Sequence, residues 1–107
     1  MTDRSQQQGT VAERLRLGPG LLESDRAEIV SALSALNRHL GHWRSDQIDL
    51  RLSVRDRNFS DQQVALEIWL PGRHSLLAHA SDADMNKALV EVRKVAIREI
   101  EAEFGRL

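Results

Sequence analysis

Three stretches in the middle of the chain, QIDLRLSVRDR, QVALEIWL and SLLAHA, place an apolar side chain at every second residue, and the stretch after them changes period at once. That switch constrains the fold more than any other feature. A period of two puts one face of an extended strand in a core and the other in water, whereas a period of 3.6 draws an apolar stripe along a helix. Ile48, Leu50, Leu52 and Val54 share one strand face, with Asp49, Arg51, Ser53 and Arg55 on the other. Val64, Leu66, Ile68 and Leu70 repeat the pattern, and Pro71-Gly72-Arg73-His74 turns the chain into a strand whose Leu76, Ala78 and Ala80 face inward while Leu77 and His79 face outward. These three strands form an antiparallel meander. From Ser81 onward Met85, Ala88, Leu89, Val92, Ala96, Ile100 and Phe104 recur at helical spacing. Ser81 or Asp82 is the expected N-cap, and Asp82 and Asp84 lie near the positive end of this helix.

Before the meander the signals are shorter. Residues 1–10 are polar, Gln-rich and aperiodic, which reads as a disordered tail in front of a single folded unit, residues 11–107. VAERLRL alternates imperfectly, with Leu15 and Leu17 on one face and Arg14 and Arg16 on the other, and Gly18-Pro19-Gly20 stops it; this predicts an edge strand over Val11–Leu17. Ile29, Val30, Leu33, Leu36 and Leu40 then form a helical stripe. Ser24 or Glu23 precedes this helix, Asp25 and Glu28 sit in its first turn, and Gly41 stands where a C-cap belongs. The order β-α-β-β-β-α predicts an α+β fold, a two-layer sandwich with a four-stranded sheet and two helices on one face. The first two strands, joined through a helix, would pair in parallel.

The chain has 107 residues, enough for one core and too few for two. It has no cysteine, no apolar run long enough to span a membrane and no secretory leader, so a soluble cytoplasmic protein is expected. Four histidines do not make a metal centre: His39 and His42 are separated from one another by Gly41, and His74 and His79 bring no further ligands. Asp82 and Asp84 have no nucleophile beside them, and capping explains both. No glycine pattern for nucleotide phosphates is present. No catalytic residue, metal or cofactor is therefore expected.

Net charge is −1, so a polyanion would have to be met by a local patch. Thirteen of the 15 cations are Arg, the side chain that forks onto phosphate. The candidates for phosphate contact are Arg51, Arg55 and Arg57 on and after the second strand, Arg73 in the hairpin, and Lys87, Lys94 and Arg98 along the last helix. Glu91, set to pair with Lys87, favours the alternative of a merely solvated face. Trp69 lies opposite Ile68 and Leu70, as a stacking platform, a partner contact or a ring covered by the tail or a second chain. Arg55 and His79 would flank it in some registers, making a surface suited to RNA.

The segment AHASDADMNKALVEVRKVAIREI, a small-residue strand running through Asp-Met into a cationic amphipathic helix, together with the strand IDLRLSVRD and the element order, resembles the ribosome hibernation promoting factor family, also described as ribosome-associated inhibitors or sigma-54 modulation proteins. The resemblance spans about Val11 to Phe104. It implies a fold like that of double-stranded-RNA-binding domains and a stress-response role: binding small-subunit ribosomal RNA near the decoding region, blocking transfer and messenger RNA, and storing ribosomes in an inactive state. It implies phosphate contacts from the sheet and last helix, with Arg98, and Lys94 close by, at basic positions of the family. Ser53, Val95 and Ala102 stand where relatives often carry Lys, and Glu99, Glu101 and Glu103 make the helix end acidic. The alternative is a diverged protein-interaction domain of the same fold that has lost the RNA site, with a protein partner or a second copy on the exposed sheet face.

Overall fold

The computed structural model describes residues 3–72 and 75–105, with side chains from Gly9 onward. Its sheet has the order β1-β2-β3-β4, formed by β1 (Leu15–Leu17), β2 (Asp49–Arg55), β3 (Gln62–Trp69) and β4 (Leu76–Asp82). β1 pairs with β2 in parallel, and β2–β3 and β3–β4 are antiparallel. The alternation read from the sequence is borne out residue by residue. Leu50, Leu52, Val54, Val64, Leu66, Ile68 and Ala78 are buried on one face, where they meet the helices.

The helical layer differs in detail from the two helices expected. The long stripe is broken into α2 (Arg26–Leu33) and α3 (Leu36–Leu40), preceded by a 3₁₀ turn at Glu23–Asp25. Ser34 explains the break: its hydroxyl donates to the Ser31 carbonyl at 2.9 Å, and the Asn37 amide donates to the Ser34 carbonyl, a 3₁₀-type bond. The stripe survives it, since Ile29, Leu33, Leu36 and Leu40 are all buried. Gly41 ends α3 with φ of −70°, so it closes the helix without using glycine's left-handed freedom.

The long C-terminal helix α4 (Met85–Phe104) buries Ala88, Leu89, Val92, Ala96 and Ile100 and packs over β3 and β4. Its N-cap is Asp84 rather than Ser81 or Asp82. The Asp84 carboxylate accepts from the amides of Asn86 at 2.9 Å and Lys87 at 3.3 Å. Asp82 still belongs to β4, opposite Gln62, and accepts from the Asp84 amide.

Where the sequence predicts a structureless tail through Thr10 and a strand from Val11, a helix, α1 (Asp3–Arg14), is formed instead; Met1 and Thr2 lie outside the described residues. The expected strand shrinks to its last three residues. Val11 and Leu15 are a helical turn apart and both reach the core, Val11 as helix and Leu15 as strand. The path bends at Gly9, whose φ is +48° and where a Cβ would lie 2.5 Å from the Asn37 side-chain nitrogen. Asn37 also accepts from the Val11 amide at 2.9 Å, tying α1 to α3.

Short as it is, β1 is continued by its loop. The Gly18 amide donates to the Leu52 carbonyl at 2.7 Å, and the Val54 amide donates to the Pro19 carbonyl at 3.0 Å. Gly20 follows at φ +89°, so close to β2 that an added Cβ would stand 2.1 Å from the Val54 oxygen.

Candidate nucleic-acid interface

The sheet face away from the helices is built row by row from the strand registers. One row reads Arg16, Arg51, Glu67, Leu77, the next Ser53, Ala65, His79, and the next Arg55, Gln63, Ser81, while Asp49 stands opposite Trp69. With strands about 4.8 Å apart and alternate residues about 6.8 Å apart, the rows make a nearly flat grid.

At the Trp69 end, two of the three arginines are engaged within the fold. The Arg14 side chain donates to the Ile48 carbonyl at 2.8 Å and to Asp49 at 2.9 Å, and the Arg16 guanidinium lies 5.8 Å from the centre of the half-buried Trp69 ring. Arg51 stands across from Glu67 in the strand register, with no ion pair within 4.0 Å between them, and Glu67 accepts from the Ser75 hydroxyl at 2.9 Å. Arg16 was not among the expected site residues, because its meeting with Trp69 depends on the registers of two strand pairs. Those registers also correct the expected neighbourhood of Trp69. Arg55 is opposite Gln63, six residues and about 20 Å along β3 from Trp69, and His79 is opposite Ala65, so neither flanks the indole.

The other end of the face has different chemistry. Ser53, Arg55, Gln63, Ala65 and His79 line a shallow depression of about 320 Å³, and an adjoining one includes Gln63, His79 and Ser81. No carboxylate lines either. The Arg55 side chain is exposed and makes no hydrogen bond or ion pair with another described residue.

The remaining candidates fall elsewhere. Arg57 is occupied: its guanidinium pairs with Asp25 at 3.6 Å and donates to Gln62 Oε1 at 3.3 Å, so it fastens the β2–β3 loop to the start of the first helical segment after β1. Arg73 lies outside the described residues, as does His74. Lys87, Lys94 and Arg98 are exposed on α4 along the stripe opposite its buried one, interleaved with Glu91 and Glu101. Lys87 and Glu91 form no ion pair within 4.0 Å despite their spacing. This stripe and the open sheet face point away from opposite sides of a slab whose principal extents are 37 × 35 × 19 Å. The seven expected contacts therefore do not share one surface.

Sequence reasoning also missed Gln62. It extends the inward alternation of β3 by one step and is buried, donating to the Ala83 carbonyl at 2.8 Å and accepting from the Asn58 amide at 3.0 Å. The loop it braces puts Asp56 and Asn58 at positive φ and exposes Phe59 to two thirds of its surface. Among the described residues no group of three or more His, Cys, Asp or Glu side chains is arranged to hold a metal ion. Nor is any described helix long and apolar enough to cross a membrane. Among the described residues the displaced titration is remote from the face: the hydrogen bond from Arg26 holds the Glu23 carboxyl below the ordinary glutamate range.

No family model matches the chain, and no curated protein matches it in sequence. Solved structures do match it in shape. A ribosomal subunit interface protein from Coxiella burnetii superposes with a TM-score of 0.66 at 14% identity, covering 87% of this chain and 99% of that one. The N-terminal domain of Protein Y from Thermus thermophilus gives a TM-score of 0.57 at 17% identity, covering 84% and 94%. At these identities the likeness is one of architecture, and at that level the chain has the α+β fold that its resemblance to the hibernation factors implies.

Proposed function

We propose that this protein is a non-catalytic, cytoplasmic ribosome-associated factor that binds small-subunit ribosomal RNA near the decoding region and excludes transfer and messenger RNA. Residues 11–107 would be its hibernation-factor-like domain. The observation that carries the reading is the match, over nearly the whole of both chains, to a fold whose solved example is described as a ribosomal subunit interface protein. Three features of this chain support it. Arg55 lies in a depression lined without carboxylates, Lys94 and Arg98 are exposed and unpaired among the described residues, and the two sets lie on opposite sides of a slab 19 Å through. A polyanion engaging both sets has to surround the protein, as the walls of a cleft would. Steric occupation of such a cleft needs no catalytic group, and phosphate contacts at its walls hold the protein in place.

Co-sedimentation with purified small subunits at two salt concentrations tests this. Each phosphate contact contributes nearly one unit to the slope of log affinity on log salt, so two or three contacts predict a loss of roughly ten- to fortyfold between 50 and 200 mM salt. Arg55→Glu and Arg98→Glu should each weaken pelleting. Binding that ignores salt and both reversals would refute an RNA interface.

The second reading, a protein-interaction domain that has lost the RNA site, is favoured by the net charge of −1 and by Leu77, 46% exposed on the open sheet face. It predicts self-association or capture of a protein partner while ribosomes elute free.

A further inference from the structure

The open sheet face has two ends of opposite character, and that asymmetry identifies a single site on it. At one end Arg16 rests on Trp69, Arg14 is paired with Asp49, and Arg51 shares its row of the sheet with the acid Glu67. At the other, the residues that rise from the sheet are a guanidinium (Arg55), an imidazole (His79) and a carboxamide (Gln63), with the hydroxyls of Ser53 and Ser81 among them. All five can donate a hydrogen bond, and no acid competes for them within the lining.

We propose that this depression seats one phosphodiester group of single-stranded RNA, a proposal that rests on the ribosomal reading and gives it an address. The grid sets the geometry. Arg55 is on β2 in the row of Gln63 and Ser81, and His79 is on β4 in the row of Ser53 and Ala65. They therefore occupy diagonally opposite corners of a rectangle roughly 10 by 7 Å. Ala65 is at the middle of one long side, and its methyl group leaves the floor low. From those corners Arg55 and His79 line one depression together with Gln63 and Ala65, a span short enough for a single anion to meet both. A phosphate there meets a planar fork, the arrangement by which guanidinium binds oxyanions best, with the amide and hydroxyls free to satisfy the remaining oxygens. Because the donors stand on three hydrogen-bonded strands, the seat is already assembled before the ligand arrives.

The seat sets apart two residues that otherwise look alike. Arg51 and Arg55 are on the same strand and face, both exposed, yet only Arg55 lines the depression. The experiment compares small-subunit pelleting of the full chain with Arg55→Gln, Arg51→Gln and Ala65→Phe, each first shown to unfold as the parent does. Ala65→Phe fills the floor without touching charge, and Ser53→Phe replaces it if that variant fails to fold. Arg55→Gln and the filling variant should each weaken binding roughly tenfold. Arg55→Gln should also lower the salt slope by about one unit, and Arg51→Gln should change affinity by less than about threefold. Equal effects of the two arginine variants, or no effect of filling the floor, overturn the seat while leaving ribosome binding intact.

A second arm decides the seat even if the parent protein does not pellet, the outcome that sinks the ribosomal reading itself. NMR titration with a single-stranded oligouridylate should shift the Gln63 side-chain amide and the His79 ring, and Arg55→Gln should abolish the shifts. No shift at those groups overturns the proposal. Equal shifts with inorganic phosphate overturn its assignment to an RNA diester.

Discussion

Replacing Gln62 by Leu tests how the end of the sandwich is held together. The substitution keeps length and approximate volume in a buried position while removing both polar functions. Three bonds are lost: Gln62 Nε2 to the Ala83 carbonyl at 2.8 Å, the Asn58 amide to Oε1 at 3.0 Å, and the longer Arg57 contact at 3.3 Å. Ala83 and Asn58 are exposed residues, so water can recover part of what their backbone groups lose, and each is counted at about 1 kcal/mol, the net worth of an ordinary hydrogen bond. The Arg57 contact is long and half-exposed, and adds at most about 1 kcal/mol. The expected loss is about 2–3 kcal/mol, and for a domain of this size it appears as a fall of about 10–15 °C in Tm. Calorimetry measures it directly, and urea unfolding should show a lower midpoint at unchanged m. Gln63→Leu, one residue away on the opposite face, should change stability by less than about 0.5 kcal/mol. A Gln62→Leu protein melting within about 3 °C of the parent would refute the claim that this amide joins the β2–β3 loop to the β4–α4 turn.

Gly20→Ala should destabilise by about 3 kcal/mol or more, because it adds a left-handed penalty of about 1–2 kcal/mol to a clash with the Val54 oxygen that breaks the continuation of the parallel pair; a midpoint in urea equal to the parent's would show that the loop closes some other way. Glu23 should titrate below the ordinary glutamate range in an NMR pH series, and Arg26→Ala should return it there. Its folded pKa is the depressed one, so the favourable pairing is present above the unfolded value and is lost as pH falls through the folded value; an unshifted Glu23 in the parent protein would contradict the pairing.

The sheet was readable from sequence because burial on one face only leaves an unambiguous record: the inward residues Leu50, Leu52 and Val54 of β2 and Val64, Leu66 and Ile68 of β3 are all apolar. The N-terminal segment was not readable for a definable reason. Val11 and Leu15 satisfy a helical turn as well as a strand does, and only the Asn37 bond and the Arg14–Asp49 pair decide where helix gives way to strand. The cap of α4 was ambiguous because Ser81-Asp82-Ala83-Asp84 offers three capping side chains in four residues, and the pairing of Asp82 with Gln62 removes one of them. Site residues were the hardest to read. Residue type marks an arginine as a candidate, but whether it shares a row with Glu67, pairs with Asp25 or lines an acid-free depression depends on registers and loop contacts that no local pattern contains.

The parallel pairing of β1 with β2 also has a consequence for synthesis. Emerging from the ribosome, Leu15 has to wait for Leu50 before it finds its place, whereas β2, β3, β4 and α4 follow one another and meet through short connections. Local closure is cheap and distant closure costly, so the portion of the chain made last is the one equipped to assemble first, with the leading segment docking onto it. A nascent chain halted before β2 would expose Val11, Leu15 and the Ile29–Leu40 stripe with no sheet to receive them, the interval in which a holding chaperone has most to protect.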